Sequence, residues 1–277
     1  MSGQRAPAEL LDIELLARQP SGAALARVTA APEGALIAVG AHVLIGPTDP
    51  CGECEVCRRG GPTVCVNAVV RDLNGSLARV SSRWVVALCD GFEALTQLGA
   101  SAAAIPGDLA IAYTLYARTG LGPRDPVVVT GATAITRFVV AILRAKGLTP
   151  VVLTTHPELV AAGAITVAGP GEVTAAITSL GLGARPVRVI ATDVASLEVA
   201  AELAGPRATL TVLAPATSLP GSLIAREVTI IGVAGAHPDL VTEVAAMCAK
   251  GELDLAAGTT TDPGDLTRAL VTSLPAR

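Results

Sequence analysis

Two rhythms of apolar and polar residues divide the chain. Up to Val86 the apolar stretches are short, and turn residues interrupt them. Leu10–Leu16 and Ala23–Ala30 are predicted strands joined by the turn Gln19-Pro-Ser-Gly22, and Pro32-Glu-Gly34 marks another turn. Leu36–Ile45 has a strand pattern with apolar residues facing both ways, and two more short strands run on through Val86. Then the period lengthens. Leu98–Ala117 repeats its apolar residues at three- and four-residue spacing, as a buried helix requires, with a break at Pro106-Gly107. Pro126–Thr130 is a continuous apolar run, suited to the middle of a parallel sheet.

Beyond Gly131 the two rhythms alternate. Helix is predicted over Ile135–Lys146, Pro157–Ala162, Gly171–Leu180, Leu197–Ala204 and Pro238–Lys250. Strand is predicted over Val151–Thr154, Val187–Ala191, Leu210–Leu213 and Val228–Val233. Strands separated by helices of this length imply right-handed crossovers, hence an α/β fold with a doubly wound parallel sheet. The 277 residues suffice for two domains, and 51% of them are hydrophobic. Aromatics are only 2%, so the core must be built from Ala, Val, Leu and Ile. A net charge of −4 without a basic tract argues against nucleic acid as a partner. Ala208–Ala225 carries no charge, but Pro215, Pro220 and Gly221 break it, so it reads as strand, turn and loop and not as a membrane span. The N-terminus shows no secretory pattern, and a cytoplasmic location is expected.

Four of the six cysteines lie at Cys51, Cys54, Cys57 and Cys65, spaced C-x2-C-x2-C-x7-C. Thiolates this close can converge on one tetrahedral ion, and four sulfurs leave no open position for chemistry. One structural zinc fits this ligand type and spacing. Disulfides suit small secreted chains, and an iron–sulfur cluster can use similar spacing, although the rest of the chain does not look like a ferredoxin.

This loop resembles the structural-zinc lobe of the zinc-containing medium-chain alcohol dehydrogenases. The likeness extends to Val39-Gly-Ala-His-Val-Leu-Ile45 before it and to Gly75-Ser-Leu-Ala78 and Trp84-Val-Val86 after it. Pro123-Arg-Asp-Pro-Val-Val-Val-Thr-Gly131 resembles the first strand of that family's nucleotide domain. Glu227-Val-Thr-Ile-Ile-Gly232 resembles a late strand at the family's dimer edge. The resemblance covers most of Val28 to Leu270. It implies a shortened GroES-like β-barrel domain over 1–104, carrying the lobe at 51–65. A Rossmann-type sheet domain over 105–257 and a C-terminal return segment over 258–277 would follow. A homodimer, or a subunit of a larger assembly, is implied as well.

The resemblance also says where chemistry should be. The dinucleotide fingerprint G-x-G-x-x-G needs glycine for a tight turn, for approach of the pyrophosphate, and for helix packing. Here the turn reads Gly131-Ala132-Thr133-Ala134-Ile135-Thr136. Only the first glycine is kept, and Thr133 puts a β-branched side chain where phosphate should meet backbone. The helix N-terminus still offers amides, and the hydroxyls of Thr130, Thr133 and Thr136 offer donors. The second strand ends Thr154-Thr155-His156, with Thr155 where an acid would hold the ribose of NAD; such an end either tolerates the extra phosphate of NADP(H) or is a solvated loop that binds nothing. The family's catalytic-zinc ligands are not found: no His-Glu pair exists in the chain. Asp108 alone cannot hold a metal and reads as the N-cap of a helix from Leu109. His42, His156 and His237 are at no metal-ligand spacing, Cys89 and Cys248 read as inert core thiols, and Tyr113 as a packing residue. The strand expected after Asp265–Leu274 is missing. No catalytic residue is assigned. The implied function is a redox-impaired or non-catalytic relative, acting as a partner subunit or ligand-binding scaffold. The alternatives are a zinc-independent NADP(H)-dependent reductase or dehydrogenase of an alcohol, aldehyde or acyl-thioester, and a binder of a smaller ligand such as a mononucleotide or acyl-CoA. Val85–Asp90 resembles a subgroup acting on cyclic CoA thioesters.

Overall fold

The computed structural model describes residues 9–19, 21–88, 92–154, 163–183, 187–213 and 222–253. They fall into two compact units. One runs to Gly107 and resumes at His237, and the other spans Asp108–Ala236. The sequence placed the first division after residue 104 and kept 238–250 with the second unit; the segment 258–277 lies outside the described residues.

In the first unit, β1 (Leu10–Arg18), β2 (Ala24–Ala30) and β3 (His42–Ile45) lead into β4 (Thr48–Asp49), the short helix α1 (Glu55–Arg58), β5 (Val69–Val70), β6 (Leu77–Ser81) and β7 (Val85–Ala87). The main sheet has the order β6-β1-β2-β3-β7, antiparallel throughout. Alternation sends Leu11 and Ile13 of β1 inward, where they meet Ala26, Val28, Val43, Ile45 and Val80 in one core cluster. A 3-10 stretch, Glu93–Ala104, packs against β1, β2 and β3.

The expected strand Leu36–Ile45 starts only at His42. Gly34 and Gly40 take φ of +80° and +89°, which no extended strand allows, and Leu36 and Val39 are 94% and 61% exposed. The expected helix Leu98–Ala117 is also reshaped. A wide turn, Ile105–Leu109, joins the 3-10 stretch to α2 (Ala110–Thr119), with the break at Gly107. A Cβ on Gly107 would run into Gln19 and Ala23, so the backbone there lies against the β1–β2 turn. The N-cap of α2 is Leu109 and not Asp108, which sits inside the wide turn.

The second unit continues with β8 (Val127–Thr130), α3 (Ala134–Ala145), β9 (Val151–Leu153), β10 (Ile165–Val167), α4 (Pro170–Ser179), β11 (Arg188–Ala191), α5 (Leu197–Leu203), β12 (Thr209–Leu213), α6 (Ser222–Ala225) and β13 (Thr229–Val233). The helix α7 (Pro238–Ala249) groups with the first unit. All six strands are parallel, in the order β10-β9-β8-β11-β12-β13. The chain steps outward from β8 to β10, returns beside β8 as β11, and then runs the other way. That reversal is the switch point at which doubly wound sheets open a cleft. Val127, Val128 and Val129 are all buried, so both faces of β8 are covered. The strand β10 escaped the sequence reading because its three residues are too short for a period. The predicted helix Pro157–Ala162 lies outside the described residues.

Among the described residues no helix is long and apolar enough to cross a membrane. Asp108 is half-buried, and burial raises its carboxyl above the ordinary value of 3.8. A raised folded value means the charged form destabilises the fold above the unfolded value. Stability should therefore increase as pH falls through the folded value toward 3.8. Asp108→Asn should flatten that slope, as measured by urea unfolding across the acid range; an unchanged slope would remove Asp108 as its source.

Candidate functional site

The loop between β3 and β6 is held at its base by the β4–β5 ladder, Thr48 opposite Val70 and Asp49 opposite Val69. Arg71 donates to the Gly46 carbonyl at 3.0 Å and pairs with Asp49 at 3.4 Å. Trp84 Nε1 donates to the Pro50 carbonyl at 2.8 Å, and Arg83 donates to the carbonyl of Cys51. Gly52 turns the chain at φ +74°, and Cys54 caps α1 through its sulfur.

These constraints bring four sulfurs together. The Sγ atoms of Cys51, Cys54, Cys57 and Cys65 all lie within 4.8 Å of one another. Cys65 approaches Cys51 at 3.5 Å and Cys54 at 3.8 Å. A tetrahedral ion with zinc–sulfur bonds of about 2.3 Å sets its sulfurs about 3.8 Å apart. Backbone N–H groups already point at the sulfurs: Cys54 to Cys51 at 3.4 Å, Cys57 to Cys54 at 3.5 Å, Cys51 to Cys65 at 3.5 Å. N–H groups aimed at sulfur stabilise the thiolates that a metal requires. The thiols stand in contrasting surroundings. Amides of Glu53 and Cys54 pull Cys51 down to about 6, whereas burial pushes Cys57 up to about 12. The donor set fits one closed zinc site. Among the described residues it is the one group of three or more His, Cys, Asp or Glu placed to hold a metal. His237 lies near the lobe, its Nε2 3.1 Å from the Gly60 carbonyl, and is the N-cap of α7.

The second candidate site lies wholly in the parallel-sheet unit, at the carboxyl ends of β8 to β11. A cavity of about 340 Å³ opens there, lined by Gly131, Ala132, Leu153, Thr154, Asp193 and Ser196 among others. Of the residues expected to hold a cofactor, Gly131, Ala132 and Thr154 line it. Thr133 is the N-cap of α3, and Ala134 and Ile135 form its first turn. Thr155 lies outside the described residues, as do His156 and Cys89.

The two threonines in the glycine positions form a capping box. Thr136 N–H donates to Thr133 Oγ1 at 3.4 Å, and Thr133 N–H donates to Thr136 Oγ1 at 3.0 Å. Thr136 Oγ1 also meets Thr192 Oγ1 at 2.7 Å, and Thr192 donates to the Thr130 carbonyl at 2.9 Å. Thr130 Oγ1 donates to Ser196 Oγ at 3.2 Å. The three hydroxyls expected to await a phosphate are thus engaged within the protein, and Thr130 and Thr136 are each 1% exposed.

A carboxylate that the sequence reading missed faces the same turn. Asp193 Oδ2 accepts from Ala132 N–H at 3.1 Å, and its Oδ1 accepts from Ser196 N–H at 2.8 Å. Gly131 has φ of +122°, and a Cβ there would come within 2.7 Å of Asp193 Oδ2. The one signal in the sequence was position: Asp193 follows the end of a predicted strand beside the switch point.

The remaining described candidates neither line the cavity nor join the four-cysteine cluster. Tyr113 is buried, 5.5 Å from Tyr116 ring to ring, with the Lys146 ammonium 5.7 Å from its centre. Burial pushes the Cys248 thiol up to about 12, which keeps it protonated. His42 sits in β3, and its carbonyl accepts from Leu88 N–H at 2.8 Å.

Two outcomes follow from these geometries. Cys54→Ser should release the metal and lower the melting temperature, read by metal analysis and calorimetry; full zinc content with unchanged melting refutes the site. Thr133→Ala removes one half of the capping box and should cost about 1 kcal/mol in urea unfolding.

No protein-family model matches the chain, and no curated protein matches it in sequence. Solved structures do match in fold. Alcohol dehydrogenase TADH from Thermus sp. ATN1 aligns over 93% of this chain and 86% of its own, at 19% identity and a TM-score of 0.76. A short chain alcohol dehydrogenase from Escherichia coli CFT073, complexed with cofactor NADH, aligns over 94% and 85%, at 19% identity and a TM-score of 0.73. The cobalt and zinc bound thermostable alcohol dehydrogenase from Pyrobaculum aerophilum aligns over 92% and 83%, at 18% identity and a TM-score of 0.72. An antiparallel sheet with a four-cysteine lobe, joined in one chain to a six-stranded parallel sheet, is the fold of the zinc-type medium-chain alcohol dehydrogenases.

Proposed function

We propose that this chain is a dehydrogenase-fold scaffold that binds one structural zinc and performs no hydride transfer with a dinucleotide. One observation carries the reading: the amide of Ala132 at the mouth of α3 already donates to an anion, the carboxylate of Asp193. A helix N-terminus favours a negative charge by about 0.3–1 kcal/mol. A phosphate about 4 Å from a carboxylate is opposed by roughly 1 kcal/mol per unit charge in water and roughly 4 near a protein surface. The repulsion is comparable to the attraction in water and exceeds it near a protein surface.

Other features support the same reading. Thr133 and Thr136 replace two glycines of the fingerprint, and their capping box gives the turn a purely structural task. Thr155, in the position of the ribose-binding acid, offers no carboxylate, and the chain contains no His-Glu pair for a catalytic zinc. Zinc in the lobe would supply folding energy, on the order of 10 kcal/mol in small zinc peptides, and no reactive position. The partner reading rests on β13. Among the described residues it is an edge strand of the parallel sheet, with Ile230 36% exposed, and such an edge invites a second copy or another chain.

A second reading keeps the chain as a zinc-independent NADP(H)-dependent reductase of an alcohol, aldehyde or acyl-thioester. In its favour are the cavity at the switch point and the sequence Thr154-Thr155-His156, which carries no acid to oppose the additional phosphate of NADP(H).

One experiment separates the two. The full chain is titrated with NADPH and NADH by calorimetry, and zinc per chain is measured. One zinc with no dinucleotide binding is the expected result. Micromolar binding of either cofactor overturns the scaffold reading and favours the reductase.

A further inference from the structure

The cleft is open, and the amide of Ala132 at its turn already donates to Asp193. Its cavity of about 340 Å³ is within the usual range for small-molecule sites. Leu153, Ala168, Pro170 and Val199 give it apolar walls. Its polar lining includes Asp193, Ser196 and Thr154. Asp193 is half-buried, and its two oxygens accept from Ala132 and Ser196. A carboxylate offers about four acceptor sites, so it can still take hydroxyl donors from a ligand.

We propose that this cleft binds an uncharged molecule joining hydroxyl groups to an apolar or aromatic body, and that Asp193 sets that preference by excluding phosphates. A nucleoside without its phosphates is the simplest molecule of this class. The inference deepens the reading above and rests on it, because a cleft that admits a dinucleotide cannot be one that rejects phosphate. The chemistry is a match of donors to an acceptor. Ligand hydroxyls donate to Asp193, and the ring rests between Leu153, Pro170 and Val199. A phosphate would set like charge against Asp193 and find Ala132 N–H already donating.

The test is a charge ladder on one ring and sugar. Adenosine, AMP and ADP are titrated into the full chain, and into Asp193→Asn and Asp193→Ser, at one ionic strength. Asp193→Ser retains a short side-chain oxygen able to accept from Ser196 N–H, and circular dichroism melting checks that each variant folds. In the unaltered chain adenosine should bind tightest, with affinity falling by about tenfold for each added phosphate charge. In both variants ADP should gain at least about tenfold relative to adenosine. The proposal is overturned if ADP binds the unaltered chain as well as adenosine does, if adenosine does not bind it, or if folded variants keep the original order. Should neither variant fold, the order in the unaltered chain decides alone. NADPH binding is the outcome that sinks the scaffold reading; the adenosine ladder can fail while NADPH stays excluded, so the two failures are distinguishable.

Discussion

A parallel sheet must hide both of its faces, and the second unit is arranged around that requirement. The strand β8 satisfies it most fully, with Val127, Val128 and Val129 buried and neighbours β9 and β11 on either side. Covering both faces sends the crossovers from β8 and β11 to opposite sides of the sheet. Their divergence leaves a gap at the carboxyl ends of the strands. The cavity between Gly131, Thr154 and Asp193 is that gap. It is a product of topology first, and its side chains then decide what it can hold.

Those side chains answer the needs of the helix end from within. A helix N-terminus has four N–H groups without helical partners. In a dinucleotide site a ligand phosphate meets some of them. Here Thr133 and Thr136 meet two of them, and Asp193 meets the amide of Ala132 just before the cap. The loss of two glycines therefore has a structural counterpart. The substitutions close a capping box, continue through Thr192 to the Thr130 carbonyl, and make the turn stable without a ligand.

The four-cysteine lobe follows the opposite logic. Its short ladder and single helical turn bury little, and Val64, Val66, Val69 and Val70 are exposed. Such a segment cannot be held by a hydrophobic core of its own. Convergent sulfurs, together with the clamps from Arg71, Arg83 and Trp84, replace one. The one buried cation of the clamp is costly: burial lowers the pKa of Arg71, and the facing carboxylate of Asp49 works against that shift.

Much of this was legible in the sequence, for a definite reason. Four cysteines within fifteen positions announce a common ion because chain length alone keeps them near one another. The alternation of strand and helix after Pro126 is likewise local, written in the period of apolar residues. What depended on distant residues was not legible. Ala132 and Asp193 are 61 positions apart, and only the return of β11 to the side of β8 brings the carboxylate to the helix end. Leu36 and Val39 read as strand because their apolar character outweighed Gly34 and Gly40, whose positive φ shows only in the folded backbone. Composition and spacing determined the elements and the four-cysteine cluster, since these depend on neighbours in the chain. Tertiary structure decided which strand ends share a cleft and which charge stands in it, because parallel pairing joins residues that the sequence keeps apart.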